Sequence, residues 1–328
     1  MTIVVGLDVG YGNTKIVFGS DGGVSQVVFP SVVAKCVHSS GIAVPGTAGG
    51  RKEIVELGSM SYYVGKTAMK HCRNTLTSRH EDWITTSAYQ VLIKRAIELS
   101  GISNPSAEAL VVTGLPVAYF DESMAAVRKT VEIVFREYFA AVEVRGIPQP
   151  MGAFIDMLLQ YDGTVRDENM IRDHVGIVDI GFQTTDFIAV NRGLFIHEEA
   201  DSMELGVSSI MENIAKDVYR TTRHRPTTFE VVEALKEKSI MAFGRPISIA
   251  PFLEEHSMSF LQMVESRVKS IWGTAGDKSS IILAGGGAAL LRPLLTFYPQ
   301  IRIAADPQFS VAAGYYKAGV RAVTDERA

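Results

Sequence analysis

The sequence predicts an α/β protein of two domains facing each other across a cleft, the second a fold-level repeat of the first. Three observations support this. At 328 residues the chain exceeds the length at which one hydrophobic core stops growing, so two domains of ordinary size are expected. Its opening run, Ile3 to Val9, is β-branched and nearly continuous, turns through a glycine-rich stretch and returns as Lys15 to Phe18. Val175 to Asp179 and Thr184 to Asn191 restate that strand–turn–strand pattern about one domain length later. Segments with apolar residues at helical spacing lie between the buried strands, and 47% apolar with 21% charged residues leaves no room for a long disordered tail.

In the first half, Ala109 to Thr113 is a strand that ends at Gly114-Leu115-Pro116. Glu122 to Phe139 follows as a helix, with Val127, Val131, Val134 and Tyr138 on one face. Ala141 to Gly146 is a short strand running into Pro148-Gln149-Pro150, and Gly152 to Tyr161 is a helix that closes this half near residue 160. In the second half, Leu194 to Ala200 is a third strand across the Gly193 turn. Val207 to Tyr219 (Ile210, Ile214, Val218) and Ser257 to Trp272 (Leu261, Val264, Val268, Ile271) are amphipathic helices flanking a more polar module. Ile281 to Ala284 is a buried strand, Ala289 to Phe297 a helix, and Val311 to Val320 a terminal helix. Residues 40 to 80, rich in Gly, Ser and basic residues, read as a small subdomain or exposed loop.

The net charge of −4 gives no electrostatic reason for direct nucleic-acid contact, which needs a concentrated basic patch. The N-terminus meets an acid, Asp8, without a basic leader, and no run of about 18 apolar residues follows, so a soluble cytoplasmic chain with no membrane partner is expected. Cys36 and Cys72 lack any CxxC spacing and read as free thiols.

Three segments carry the chemistry. In Asp8-Val9-Gly10-Tyr11-Gly12-Asn13-Thr14-Lys15 an acid stands at a strand end, glycines let backbone N–H groups approach an anion, and hydroxyl, amide and ammonium donors follow. This is not a Walker A loop, and alone it can simply be a turn. Asp179-Ile180-Gly181-Phe182-Gln183-Thr184-Thr185-Asp186 repeats the arrangement. Two such loops can clamp a polyphosphate from both sides while Asp8 and Asp179 hold Mg²⁺ through its waters. The third segment is Ala284-Gly285-Gly286-Gly287-Ala288-Ala289, where glycine lets backbone lie against a flat base or ribose.

In this order, DVGYGNTK, DIGFQTTD and AGGGA resemble the phosphate-1, phosphate-2 and adenosine motifs of the actin-like ATPase superfamily, whose fold is a duplicated ribonuclease H-like α/β unit. Pro148 to Ala153 and Asp306 to Tyr315 are similar to its two hinges. Phe29-Pro30-Ser31, Thr113 to Pro116, the PQP hinge and Gln308-Phe309 resemble the plasmid-segregating ParM/StbA branch. The resemblance implies domains over 1–160 and 161–309, with small subdomains at about 30–100 and 216–256 and the helix of 310–328 packing back on the first. It implies ATP, with GTP left open, and Mg²⁺ as ligands. By the same resemblance Gln149 orients the attacking water, Asp8 and Asp179 bind metal and its waters, and Lys15 contacts phosphate oxygens. Gly206 opens a nucleotide-side loop, whereas Lys236 and Lys238 read as a solvated face. The family's second phosphate loop is richer in glycine than this one, where Phe182 and Gln183 stand. Implied behaviour is slow hydrolysis, self-association into filaments, and plasmid movement through an adaptor bound to centromere DNA. A sugar-type kinase, with Asp156 or Asp162 as base, and a cell-shape or pilus-assembly scaffold are the alternatives.

Overall fold

The computed structural model describes residues 2–20, 23–36, 54–72, 75–76, 81–291 and 298–326. Strands β1 (Thr2–Val9), β2 (Asn13–Ser20) and β3 (Gly23–Pro30) form an antiparallel meander. Next come β4 (Val33–Lys35), β5 (Ile54–Leu57) and β6 (Met60–Val64), a small separate sheet in the order β4-β6-β5, followed by α1 (Gly65–His71). A 3₁₀ turn at Glu81–Thr85, helix α2 (Ser87–Ser100), strand β7 (Asn104–Thr113), helix α3 (Val117–Phe135) and strand β8 (Phe139–Gly146) complete the first unit, whose main sheet has the order β3-β2-β1-β7-β8. Helices α4 (Gln149–Leu158) and α5 (Glu168–Arg172) lead to β9 (His174–Ile180), β10 (Thr185–Asn191) and β11 (Leu194–Met203). Then follow α6 (Val207–Thr222), α7 (Thr228–Glu237), the hairpin β12 (Ser239–Ala242) and β13 (Arg245–Ser248), and α8 (Ala250–Trp272). Last are β14 (Ser280–Ala284), α9 (Gly285–Leu291), β15 (Ile301–Ile303) and α10 (Ser310–Asp325).

The second main sheet has the order β11-β10-β9-β14-β15. Both sheets therefore combine an antiparallel meander with two parallel crossover strands in the same spatial order, and the two-domain α/β fold is built on one repeated plan. On the first sheet Val5, Leu7 and Val9 pack with Tyr89, Leu92 and Phe135 of α2 and α3, and on the second Val178, Ile180 and Phe187 pack with α6 and α8. Between the sheets lie α4 and α10, where Phe154 and Tyr315 join Val112 of one sheet to Val175, Ile177 and Ile282 of the other. Close backbone approach sets this layer: a Cβ at Gly6 would overlap the Ala312 carbonyl of α10, and one at Gly314 would overlap the Gly152 carbonyl of α4. Truncating Phe154 to alanine in that layer would cost about 3–5 kcal/mol.

Several element boundaries differ from the sequence expectation. Helix α3 starts at Val117, directly after Pro116, and ends at Phe135, so Tyr138 lies in the turn and Phe139 opens β8. Helix α4 starts at Gln149 rather than Gly152, because Pro150 sits in the first turn, where a missing N–H costs nothing. Helix α8 reaches back to Ala250 for a similar reason. Helix α9 begins within the glycine run, and residues 292–297 of the expected Ala289–Phe297 helix lie outside the described residues, as do 40–53, 73–74 and 77–80 of the 40–80 segment.

Candidate functional site

The two glycine-rich turns align residue for residue and share one register. Asp8 lies opposite Lys15 and Val9 opposite Thr14 in the first hairpin; Asp179 lies opposite Asp186 and Ile180 opposite Thr185 in the second. Because opposed residues project to the same face, each strand-end aspartate shares a face with its partner across the turn while Thr14 and Thr185 turn the other way. Thr14 is buried and shares a hydrogen bond with Ser31 (2.9 Å), and Thr185 donates to the Leu205 carbonyl (2.7 Å). Both threonines, expected as ligand donors, instead anchor the loops from behind.

The face they leave is acidic and nearly dry. Asp8 is buried and takes an ion pair from Lys15 Nζ (2.6 Å) and a hydrogen bond from Gln149 Nε2 (3.0 Å). With the Gln149 amide nitrogen on a carboxylate, its Oε1 is left to accept a hydrogen bond from a water. Asp179 is also buried; burial, then the charges of Asp186 and Asp8, push its carboxyl up to about 7, against the pull of Lys15. Among the described residues nothing donates a hydrogen bond to it. Asp186 is pushed to about 6, again by burial first. Its oxygens accept from the Val117 N–H (3.2 Å) and Thr184 Oγ1 (3.1 Å). Helix α3 has no side-chain cap of its own, so Asp186 of the second unit supplies it. Beside the ligand role expected from sequence, Asp186 thus serves as a cross-domain helix cap.

The loops meet directly. A Cβ at Gly12 would overlap the Phe182 side chain. Tyr11 turns the opposite way and stacks on Trp83 (centroids 5.2 Å apart), tying the first loop to the small subdomain side. Gly10 and Gly181 occupy matching places, each tight against the carbonyl three residues on, that of Asn13 or Thr184. At Gly206 a Cβ would strike the carbonyls of Gly181 and Phe182, which accept the first N–H groups of α6 from Val207 (3.1 Å) and Ser208 (2.8 Å). In the third segment Gly285 (φ +80°) abuts Asp179 and Ile180, Gly287 abuts Ile180 and Val207, and Ala288 is buried. Gly286 alone of these faces open space, so close packing explains three of the four residues and ligand access one.

A cavity of about 330 Å³ opens beside these loops, lined by Tyr11, Gln183, Thr184 and Gly206 together with Tyr119, Glu204, Ser208, Ser209 and Glu212. The last five were not singled out from sequence; Ser208, Ser209 and Glu212 carry the one available signal, a polar stripe opposite Ile210, Ile214 and Val218 on α6. Tyr119 Oη also donates to Glu204 across the two units (3.1 Å). Lys236 and Lys238 are exposed and far from the acids in sequence and element. Carboxylate oxygens from two strand ends suit a hard divalent cation, and buried acid charge that the fold leaves partly uncompensated favours one. A second acid–histidine group, His174 with Glu199 and Asp277, already encloses a cation: the buried Lys278 ammonium lies 2.7 Å from each carboxylate.

A duplicated α/β unit with matching acid-and-glycine turns converging from both halves defines an actin-like fold. Residues 6–152 match the family described as actin like proteins N terminal domain, and residues 177–296 match the archaeal actin homologue MreB-like C-terminal family. Archaeal actin homologs of Thermoplasma volcanium and Thermoplasma acidophilum are 24% and 25% identical, each over 98% of this chain and 100% of theirs. Among solved structures, a native archaeal actin homolog superposes with a TM-score of 0.78 (22% identity; 99% and 100% of the chains covered). A 15-stranded ParM filament from Clostridium botulinum gives 0.79 (21%; 97% and 99%), and Bacillus thuringiensis ParM with ATP gives 0.64 (14%; 100% and 100%). The chain belongs to the actin-like superfamily and shares its fold with ParM proteins.

Proposed function

We propose that this chain binds ATP with Mg²⁺ between its two halves, hydrolyses it slowly, and assembles into filaments that move a cargo such as plasmid DNA through an adaptor bound to centromere DNA. The observation that carries the reading is the convergence of Asp8, Lys15 and Asp179, contributed by two hairpins of identical register, on one buried acidic face. Asp8 and Asp179 would hold the metal, and Lys15 would offer its ammonium to phosphate oxygens. The backbone around Gly10, Gly12 and Gly181 would supply N–H donors, and Gly286 an open face toward the base. When bound, the ion neutralises charge on the polyphosphate. Gln149, tethered to Asp8, positions water rather than deprotonating it, which is why turnover should be slow. Relatives support the rest: an archaeal actin homolog was solved in complex with ADP and a ParM with ATP, and a ParM forms filaments. GTP is a second substrate to test alongside ATP.

The same reading divides the chain at about residue 160 and locates the protein in the cytoplasm; no described helix is long and apolar enough to cross a membrane. A sugar-type kinase is disfavoured because neither expected base is available. Asp156 is ion-paired with the buried Lys317 (2.6 Å), and Asp162 caps its own turn by accepting from Thr164. Light scattering and phosphate release with ATP and Mg²⁺ test the proposal together: a nucleotide-dependent rise in scattering with slow release is expected, and transfer to a sugar panel without scattering would defeat it. Gln149→Ala should lower release by about tenfold or more while binding persists; an unchanged rate returns Gln149 to a structural hinge.

A further inference from the structure

The hairpin β12–β13 projects an apolar tip that the fold leaves uncovered. Its turn residues, Phe243 and Gly244, both have positive φ (50° and 76°), a two-residue geometry that ordinarily selects Asn-Gly. A phenylalanine there is strained and 79% exposed, with Met241 beside it at 57%. His224 meets the Phe243 ring edge-on at 6.2 Å, bringing Arg223 and Arg225 to the same end as Arg245. From 220 to 248 the chain carries six Lys or Arg against three Glu, although its net charge is −4. The end is a basic knob with an aromatic point.

A complementary hollow lies on the first unit. A cavity of about 430 Å³ sits at the start of β1, beside the middle of β7 and the first half of β8, floored by the buried Leu110 and lined by Val142 and Val323 with Glu108, Glu143 and Glu326. Arg145 pairs with Glu143 and Glu326 (both 2.6 Å), and the rim remains net acidic through Glu108.

Knob and hollow occupy opposite ends. Asp8 and the cleft lie at the finishing end of β1, and the hollow at its start. Helix α6 leaves the cleft at Gly206 and ends at Thr222, next to the knob. Helix α8 returns along it, with His256 on Asp217 (2.6 Å), and reaches the lower end of the second sheet at Trp272, against Gly176 and the Glu199 carbonyl. The knob therefore stands beyond the cleft and the hollow on the far side of it. A projection on one end matched to a pocket on the other makes a heterologous contact that does not close, and repetition of it builds a strand.

We propose that the Phe243 tip of one copy enters the Leu110–Val142–Val323 hollow of the next, with Arg223 and Arg245 facing Glu108. The proposal rests on the filament reading above and names its contact; a second copy of this chain is the occupant because the charge and shape of each end answer the other. Desolvated aromatic anchors dominate such interfaces, so Phe243→Ser and Val142→Arg should each raise the critical concentration for ATP-dependent assembly at least about tenfold. Each variant keeps one good end. Alone they should sediment as monomers, and mixed in equal amounts they should form a one-to-one dimer and go no further. Arg245→Glu should weaken assembly, and Arg245→Glu with Glu108→Arg should recover it. Retained binding of a fluorescent ATP analogue in every variant controls for folding. If the parent assembles and Phe243→Ser assembles equally, or the mixture stays monomeric, the contact is wrong and the filament reading stands. A parent that never assembles with ATP and Mg²⁺ sinks both.

Discussion

The two strand–turn–strand hairpins share strand order, register and the first turn glycine (Gly10, Gly181), yet differ in charge opposite the strand-end aspartate: there the first carries Lys15 and the second Asp186. Asp8 is ion-paired at 2.6 Å, while Asp179 is driven up to about 7 by burial first and then by the facing carboxylate of Asp186. The first loop brings its own counterion; the second is built to lack one. Burial and that shortage together favour protonation of Asp179, and a divalent cation between the loops would relieve it. If Mg²⁺ binds as proposed, this charge asymmetry would favour the ion beside Asp179, in the second half.

Removing the counterion should have the largest effect. Lys15→Met leaves Asp8 buried without its counterion, so stability at pH 8 should drop by about 3–5 kcal/mol in urea unfolding. An unchanged midpoint at pH 8 would mean the pair is dispensable and the asymmetry carries no energy. Asp179→Asn tests the other hairpin. Without its carboxylate, ATP turnover should fall by about 10²–10³, yet the ligand-free fold should gain stability at alkaline pH. Both raised acids bind a proton more readily folded than unfolded. From their ordinary value of 3.8 up to about 7 for Asp179 and about 6 for Asp186, the parent should therefore lose stability as pH rises, and hold what remains above pH 7. A flatter melting-temperature profile between pH 4 and 8 for Asp179→Asn is the expected outcome; parallel profiles would refute the assignment.

Repetition is what makes the candidate site legible in the sequence. Asp8 and Asp179 end continuous apolar runs, and strands buried on both faces announce themselves by composition alone. Edge strand β3 did not, because it alternates exposed residues such as Val24 and Gln26 with half-buried ones such as Ser25 and Val27. The inward orientation of Thr14 and Thr185 was available from the two-residue period of a hairpin once its register is known, and register depends on the turn, which sequence left open. Tyr119 and Glu204 line one cavity from segments 85 residues apart. Such convergence has no local signal. The three glycines at 285–287 read alike as letters and differ in space, two forced by packing and one facing open space.

The smallest predicted effect concerns the odd residue itself. Asp186 does two opposed things: it caps α3 across the units through the Val117 N–H, and it crowds Asp179 with like charge. Asp186→Ala removes both. At pH 5 the two acids are largely protonated, so only the lost cap counts, and stability should fall by about 1 kcal/mol. At pH 8 the parent carries the charge repulsion and the variant does not, so the gap should narrow or reverse. Asp186→Asn separates the two contributions, since its amide oxygen can still accept from Val117 while the charge is gone. It should match the parent at pH 5 and exceed it at pH 8. If Asp186→Asn instead tracks Asp186→Ala at both pH values, hydrogen bonding to α3 depends on the charge, and the like-charge account of this hairpin has to be abandoned.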